Sequence, residues 1–343
     1  MGAEGSGNLA LALAYATYLN CENRQEEDSC GKCPYCIKLS KLAHPDVNFV
    51  FPFSATKAVP KDPTCLHFMK DWRKFVLENP YASVNDWANF IGAENKQMNI
   101  SAEEARNIIQ TLSLKSFESE YKIMLIWQPE HMHVNGANAL LKILEEPPVK
   151  TIFLLVTNNS ERLLTTILSR TQKIKIRPFN DEEIKEGLIK MVQVEEKKAA
   201  QLAYVADGSL NEAFRLTREA EEDYHAFFRN WMRSCFKKNN TNELIEWGEN
   251  FQSLGREVQK SLLQYGLGML RETLVYNIAG KNLVRLGEED LKFVEGFSKV
   301  LNEEKIEQIS RHLNEACYHI ERNANPKITF LDISLSISGI FKS

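Results

Sequence analysis

Four cysteines crowd into sixteen residues, as Cys21, Cys30, Cys33 and Cys36. The pattern is C-x8-C-x2-C-x2-C. Two-residue steps let thiolates converge on one ion, and four thiolates suit tetrahedral Zn²⁺. Thiolates fill all four ligand positions and leave none open, so a bound zinc is expected to be structural and non-catalytic. A redox pair or buried free thiols are the other readings. A redox C-x-x-C belongs beside a thioredoxin-like pattern, which this sequence lacks.

A second group of residues opens the chain, "MGAEGSGNLALALAYA". Gly2 and Gly7, with Gly5 in the loop between them, fit a phosphate loop of the form G-x-x-x-x-G-K-[ST], whose lysine reaches the outer phosphates and whose hydroxyl binds magnesium. Here Asn8 replaces the lysine and Leu9 the hydroxyl. An amide carries no charge to offset phosphate, and leucine cannot ligate a metal. The acidic pair expected at the end of the next buried strand is also missing, since "LIWQPEH" puts Trp127 and Gln128 at those places, with Glu130 two residues late. A glycine-rich turn that only caps a helix is the simpler reading of the loop. Loss of lysine, hydroxyl and both acids together points instead to a nucleotide fold that no longer hydrolyses.

The third group is "LLTTILSRTQ", which presents Ser169 and Arg170 at the end of a short helix. An arginine there can act as a finger, stabilising charge on a phosphate held by a neighbouring subunit. The alternative is a surface arginine closing a helix C-terminus.

The elements that must position these groups follow from hydrophobic periodicity. Leu9–Tyr18 is an uninterrupted helix former opened by the glycine loop. Residues 44–100 hold five prolines and many aromatics, and are expected to be an irregular insertion packing on a core. Their aromatics are expected to pack rather than to stack on bases. "SAEEARNIIQTL" carries a capping box, Ser101 with Glu104, ahead of apolar positions 105, 108, 109 and 112. "KIMLIW" (122–127) and "TIFLLVT" (151–157) are continuous apolar runs suited to strands buried on both faces. "NGANALLKILEE" (135–146) is helical and stops before two prolines. "ERLLTTILSR" (161–170) is expected to be a short helix and "QKIKIRP" (172–178) a third strand. Strands alternating with helices imply a parallel α/β sheet. A phosphate loop normally follows a central strand, so the chain is expected to be N-terminally truncated. After Pro178 helices alone are expected, with breaks at Asp207-Gly208, Asn239–Asn240, Gly280–Lys281 and Asn323–Pro326.

Composition is that of an ordinary globular protein, 43% apolar and 26% charged. The net charge of −4 gives no basic field for nucleic acid. Glu22, Glu26, Glu27 and Asp28 outweigh Arg24 and Lys32 around the cysteines, against a DNA-binding zinc module. No apolar run is long enough for a membrane span. Leu9–Leu19 resembles a signal-peptide core, yet Met1–Asn8 holds only Glu4 as a charged residue. A cytosolic protein is expected. Cys65, Cys235 and Cys317 are isolated and expected to be core residues.

Taken together, "GAEGSGNLALALAYA", the cysteine module, "AHPD" (43–46), "ANALLKILEEPP" (137–148), "FLLVT" (153–157), "TILSRTQ" (166–172) and "NANPKI" (323–328) resemble the delta-prime family of bacterial DNA polymerase III clamp-loader subunits, in a variant similar to Bacteroidetes-type sequences. The resemblance implies an AAA+ P-loop-type α/β domain over 1–178, with zinc module 21–36 and insertion 44–100. It also implies a small helical lid over 179–222 and an all-α collar over 223–343. It implies a non-hydrolysing ring subunit with gamma/tau and delta as partners, reaching the sliding clamp and primer-template DNA through the complex. By position, Arg170 is then the trans finger with Ser169 beside it, Cys21, Cys30, Cys33 and Cys36 hold structural zinc, and Gly2, Gly5, Gly7 and Asn8 form a degenerate loop without ATP. Gamma and tau keep a lid arginine after a Gly-Ser pair, where this chain has Asn211. The competing reading is a gamma/tau-like NTPase with an unconventional site, drawing a cation from Lys142 or an acid from Glu130.

Overall fold

The computed structural model describes residues 1–94, 96–219, 224–237, 241–284, 286 and 288–342. It divides into two compact units. The first comprises Met1–Asn180 with Gly208–Asn211, and the second comprises Asp181–Asp207 with Glu212–Ser343. The expected boundary at 222/223 and the expected break near Asn239–Asn240 lie outside the described residues.

The first unit is built on a parallel three-stranded sheet in the order β1 (Val47–Val50), β2 (Lys122–Trp127), β3 (Thr151–Val156). Phe49 pairs with Leu125, and Ile126 with Leu155. Every residue of the central strand β2 is buried, which is why its sequence is a continuous apolar run. The helices of this unit are α1 (Asn8–Leu19), α2 (Pro34–Leu39), α3 (Cys65–Glu78), α4 (Val84–Phe90), α5 (Ala102–Ser113), α6 (Val134–Glu145) and the single turn α7 (Thr165–Leu168).

Four expectations need correction. Residues 44–100 are not irregular, since they supply β1, α3 and α4, whose apolar faces join the sheet's own core. Residues 161–170 form a 3₁₀ turn (Ser160–Arg162) followed by α7, because the apolar pattern is too short to sustain one helix. Residues 172–178 form no strand. A strand exists by pairing, and in this segment Ile174 O accepts from Met1 N (2.8 Å) while Ile176 N donates to Met1 O (2.8 Å). The capping box of α5 is half made. Ser101 Oγ accepts from Glu104 N (3.2 Å), but the Glu104 carboxylate accepts from Cys65 N instead (3.1 Å), joining α5 to the start of α3.

The second unit consists of helices and their connections, with no strand among its described residues. It contains α8 (Asp181–Gly187), α9 (Glu196–Val205), most of α10 (Leu210–Glu219), α11 (Tyr224–Phe236), α12 (Thr241–Ser253), α13 (Arg256–Ala279), α14 (Glu288–Phe297), α15 (Glu303–Glu321) and α16 (Pro326–Lys342). The long helix α13 packs on α15, and α16 packs on α12, α15 and α11. Aromatics fill the seams. Phe251 stacks on Phe330 at 4.3 Å, and the buried Trp231 indole donates to Ser334 Oγ (2.9 Å). The breaks at Gly280–Lys281 and Asn323–Pro326 fall where expected, after α13 and between α15 and α16.

Candidate functional site

The cysteine module begins where α1 ends. Cys33 caps α2, with Cys36 N donating to its sulfur at 3.5 Å, and Pro34 occupies the first helical position, where its missing N–H costs nothing. This cap geometry turns the two-residue spacing into a shared face. The four sulfurs all lie within 4.8 Å of one another, with Cys33 to Cys36 at 3.4 Å and Cys30 to Cys36 at 4.0 Å. Sulfurs around a tetrahedral zinc with bonds of about 2.3 Å stand about 3.8 Å apart, so the donor set fits the ion. Backbone N–H groups already point at the sulfurs, from Lys32 (3.5 Å) and Cys33 (3.3 Å) to Cys30, and from Cys30 (3.2 Å) to Cys21. Those of Lys32 and then Cys33 pull the Cys30 thiol down to about 6, whereas burial pushes Cys36 up to about 12. A bound zinc would supply the positive charge that lets all four ionise together, as a structural cross-link.

The module is fastened to the sheet by polar residues that the spacing rules did not single out. Asn20 Oδ1 accepts from Tyr121 N (2.9 Å), and its Nδ2 donates to Tyr121 O (2.8 Å) and to Tyr35 Oη (3.1 Å). Asp46 of the "AHPD" segment accepts N–H bonds from Phe117 (2.5 Å), Glu118 (2.9 Å) and Ser119 (2.9 Å). Burial opposes charge on this carboxyl, but the donors at Glu118, Phe117 and Ser119 outweigh it and hold Asp46 below its usual range. Neighbouring His44 is buried. Its Nδ1 accepts from Asp46 N (3.1 Å) and its Nε2 faces Glu118 Oε1 (3.0 Å). Burial lowers its affinity for a proton, partly offset by Glu118.

The glycine loop runs into α1, with Gly7 as the cap. Its interior is filled by the chain itself. Asn8 is 7% exposed. Its Nδ2 donates to Gly2 O (2.9 Å) and to Asn158 Oδ1 (3.1 Å), and its Oδ1 accepts from Ser6 Oγ (3.0 Å). A side chain on Gly2 would meet Asn8 Oδ1 at 2.5 Å and Ile176 O at 2.6 Å. Gly5 lies at φ +75°, and a Cβ there would overlap Ser209. Ser209 belongs to the turn 208–211, which sits on the loop with Leu210 N donating to Gly5 O (3.0 Å). Asn211 anchors that turn by accepting from Asn79 Nδ2 (2.7 Å) and donating to Asp86 Oδ2 (2.8 Å). Asn158 carried no signal in the sequence, because a lone asparagine after a strand is indistinguishable from a turn residue.

At the end of β2 the places for two acids hold Trp127, buried among aromatics, and Gln128, buried at φ +57°. Glu130 spends Oε1 on the N–H groups of Asn158 (3.0 Å) and Asn159 (3.1 Å), and its Oε2 is buried. Lys142 is exposed on α6 and takes no part in the bonds around Asn8. Ser169 follows α7, and Arg170 comes next with its side chain 31% exposed. The guanidinium donates from Nε to Glu145 Oε1 (2.6 Å), from Nη2 to the same oxygen, and from Nη1 to Thr166 O (2.8 Å) and Ser169 Oγ (3.2 Å).

These features define a class, an α/β domain on a three-stranded parallel sheet whose N-terminal glycine loop is filled by its own side chains, with a four-cysteine module following the loop helix. A sequence profile described as "DNA polymerase III, delta subunit" matches residues 1–180, more than half of the chain. The protein belongs to the DNA polymerase III delta/delta-prime clamp-loader family. Similar proteins include DNA polymerase III subunit delta' of Pseudomonas aeruginosa, 31% identical over 169 residues, which cover 49% of this chain and 39% of that one. Subunit delta' of Bacillus subtilis is 26% identical over 220 residues, covering 64% and 53%. Subunit gamma of Buchnera aphidicola is 27% identical over 224 residues, covering 64% and 50%. The matched region spans about half or less of these relatives. Among the described residues no helix is long and apolar enough to cross a membrane.

Proposed function

We propose that this chain is a non-hydrolysing, delta-prime-type subunit of the DNA polymerase III clamp loader. It works in a cytoplasmic ring with gamma/tau and delta subunits that uses ATP to load the sliding clamp onto primed DNA. The observation that carries this reading is the closed loop. Asn8 turns its amide inward onto Gly2, Ala3 and Asn158, in the place where a lysine would reach out to phosphate. Hydrolysis needs a cation, a metal ligand and a base for water. Asn8, Leu9, Trp127 and Gln128 offer none of these. The chain instead contributes Arg170, on the surface after α7, to the ATP site of an adjacent gamma/tau subunit, with Ser169 beside it. Structural zinc on Cys21, Cys30, Cys33 and Cys36 braces the domain that carries it.

A gamma/tau-like ATPase is the reading to set against this one, since gamma and tau subunits are among the similar proteins. It predicts magnesium-dependent turnover by the purified chain. The proposed reading predicts none. It also predicts that a ring assembled with Arg170→Ala, on primed DNA with clamp, loses a clear fraction of its ATP turnover while still assembling. Turnover by the isolated chain, or a ring indifferent to Arg170→Ala, overturns it.

A further inference from the structure

Glu145 is the last residue of α6, where the helix presents unsatisfied carbonyls and a negative end. A carboxylate there is unfavourable on its own. Its partner is Arg170, twenty-five residues on, and the way they meet is specific. The Nε and Nη2 edge of the guanidinium, the edge that grips a phosphate or carboxylate as a fork, is turned onto Glu145 Oε1. The other edge is held by Thr166 O and Ser169 Oγ. A guanidinium has five N–H groups, and these contacts use four of them. Arg170 in this conformation therefore cannot offer two parallel donors to a phosphate.

We propose that Glu145 is a positioning residue for Arg170. It parks the guanidinium in the resting chain and gives it up when a phosphate of a neighbouring subunit's nucleotide competes for the same edge. The inference rests on the reading of Arg170 as a trans finger. The exchange is feasible because both groups are partly exposed, with side chains 31% and 47% accessible. An ion pair of that kind holds by no more than about five-fold in equilibrium constant, so an incoming phosphate with its full charge displaces it. Thr166 O and Ser169 Oγ keep the Nη1 edge in register meanwhile.

The test uses rings reconstituted with the natural chain, Glu145→Gln, Arg170→Ala and the double variant. The part of ATP turnover that Arg170→Ala removes is the part that runs through the finger. For that part, Glu145→Gln is expected to lower the half-saturating ATP concentration by up to about five-fold, with kcat unchanged. The effect is expected to vanish in the Arg170→Ala background. In the free chain, the ¹⁵Nε resonance of Arg170 is expected to move when Glu145 becomes glutamine. If Arg170→Ala leaves turnover intact, the finger reading itself fails. If Arg170→Ala lowers turnover but Glu145→Gln leaves half-saturation unchanged or raises it, the finger stands and the parking role is overturned. A shift in half-saturation that persists without Arg170, or an unmoved Nε resonance, also overturns it.

Discussion

Asn8 Nδ2 and Asn158 Oδ1 meet at 3.1 Å, joining the glycine loop to the end of β3 across 150 residues of sequence. The same amide nitrogen caps Gly2 O at 2.9 Å. The loop is thus held in shape by a side chain where a nucleotide-binding loop would be held by its ligand. Asn8→Ala leaves these part-buried acceptors without that donor, at a cost of about 1–3 kcal/mol. Urea denaturation is expected to show that loss. Asn8→Lys is expected to confer no ATP turnover, since Trp127 and Gln128 still supply neither metal ligand nor base. Turnover in the lysine variant would show that the closure rests on Asn8 alone.

The Asp46 carboxylate, bonded to three successive N–H groups, ties the segment before β1 to the loop before β2. Its folded-state pKa is depressed below the ordinary aspartate value of 3.8. Its contribution is therefore complete at pH values above about 4 and is lost as pH falls through the depressed value. Asp46→Asn is expected to lower stability at pH 7 by about 1.5–3 kcal/mol, the worth of a hydrogen bond to a charged group. It is also expected to flatten the loss of stability below pH 4. Denaturation at pH 7 and pH 3 measures both. Equal destabilisation at the two values would mean the charge is not what Asp46 supplies.

Where one residue type at one spacing had a single physical use, the sequence was legible. The cysteines at 21, 30, 33 and 36 come together because a cap at Cys33 and a proline at 34 leave the chain little choice. The buried run 122–127 became the central strand to the residue. Legibility failed where pairing decides structure. "QKIKIRP" has strand composition, but a ladder depends on a neighbour that local pattern does not name, and here Ile174 and Ile176 bond to Met1 rather than to a strand of the sheet. Residues 44–100 were hidden for a related reason. Prolines at 45, 52, 60, 63 and 80 break the periodicity, yet they fall before β1 or between β1, α3 and α4 rather than inside them. The turn 208–211 lies far along the chain from Gly5, so no reading of the loop alone could have placed Ser209 on it.

Trp72 and Trp87 are fully buried, with ring centroids 5.4 Å apart and edge to face, and Phe51 stacks on Trp72 at 4.3 Å. Rings enclosed this way cannot stack on nucleic-acid bases. Trp72→Ala is expected to cost about 3–5 kcal/mol through the cavity it leaves. Single-stranded DNA is expected to leave the fluorescence of these two indoles unchanged. Quenching of either by DNA would require the core of the 44–100 segment to open.

The cysteine cluster offers the plainest test of chemistry read from spacing. A purified chain is expected to carry zinc, detectable by atomic absorption and released by a thiol-reactive mercurial. Cys33→Ser removes a ligand while its hydroxyl can still cap α2, so it is expected to abolish zinc binding and, through loss of the metal alone, to lower the melting temperature. Cys65→Ser touches a buried thiol outside the cluster and is expected to leave zinc content unchanged. The pH dependence has a definite sign. The buried Cys36 thiol, pushed up to about 12, must lose its proton for the ion to bind, so affinity is expected to fall as the medium is acidified. Because Asn20 and Tyr35 connect the module to Tyr121 at the start of β2, stripping the zinc is also expected to loosen the sheet. Hydrogen exchange at the amides of 122–127 would accelerate in the stripped chain. Unchanged protection there would mean that the module is an independent appendage and that the zinc braces only itself.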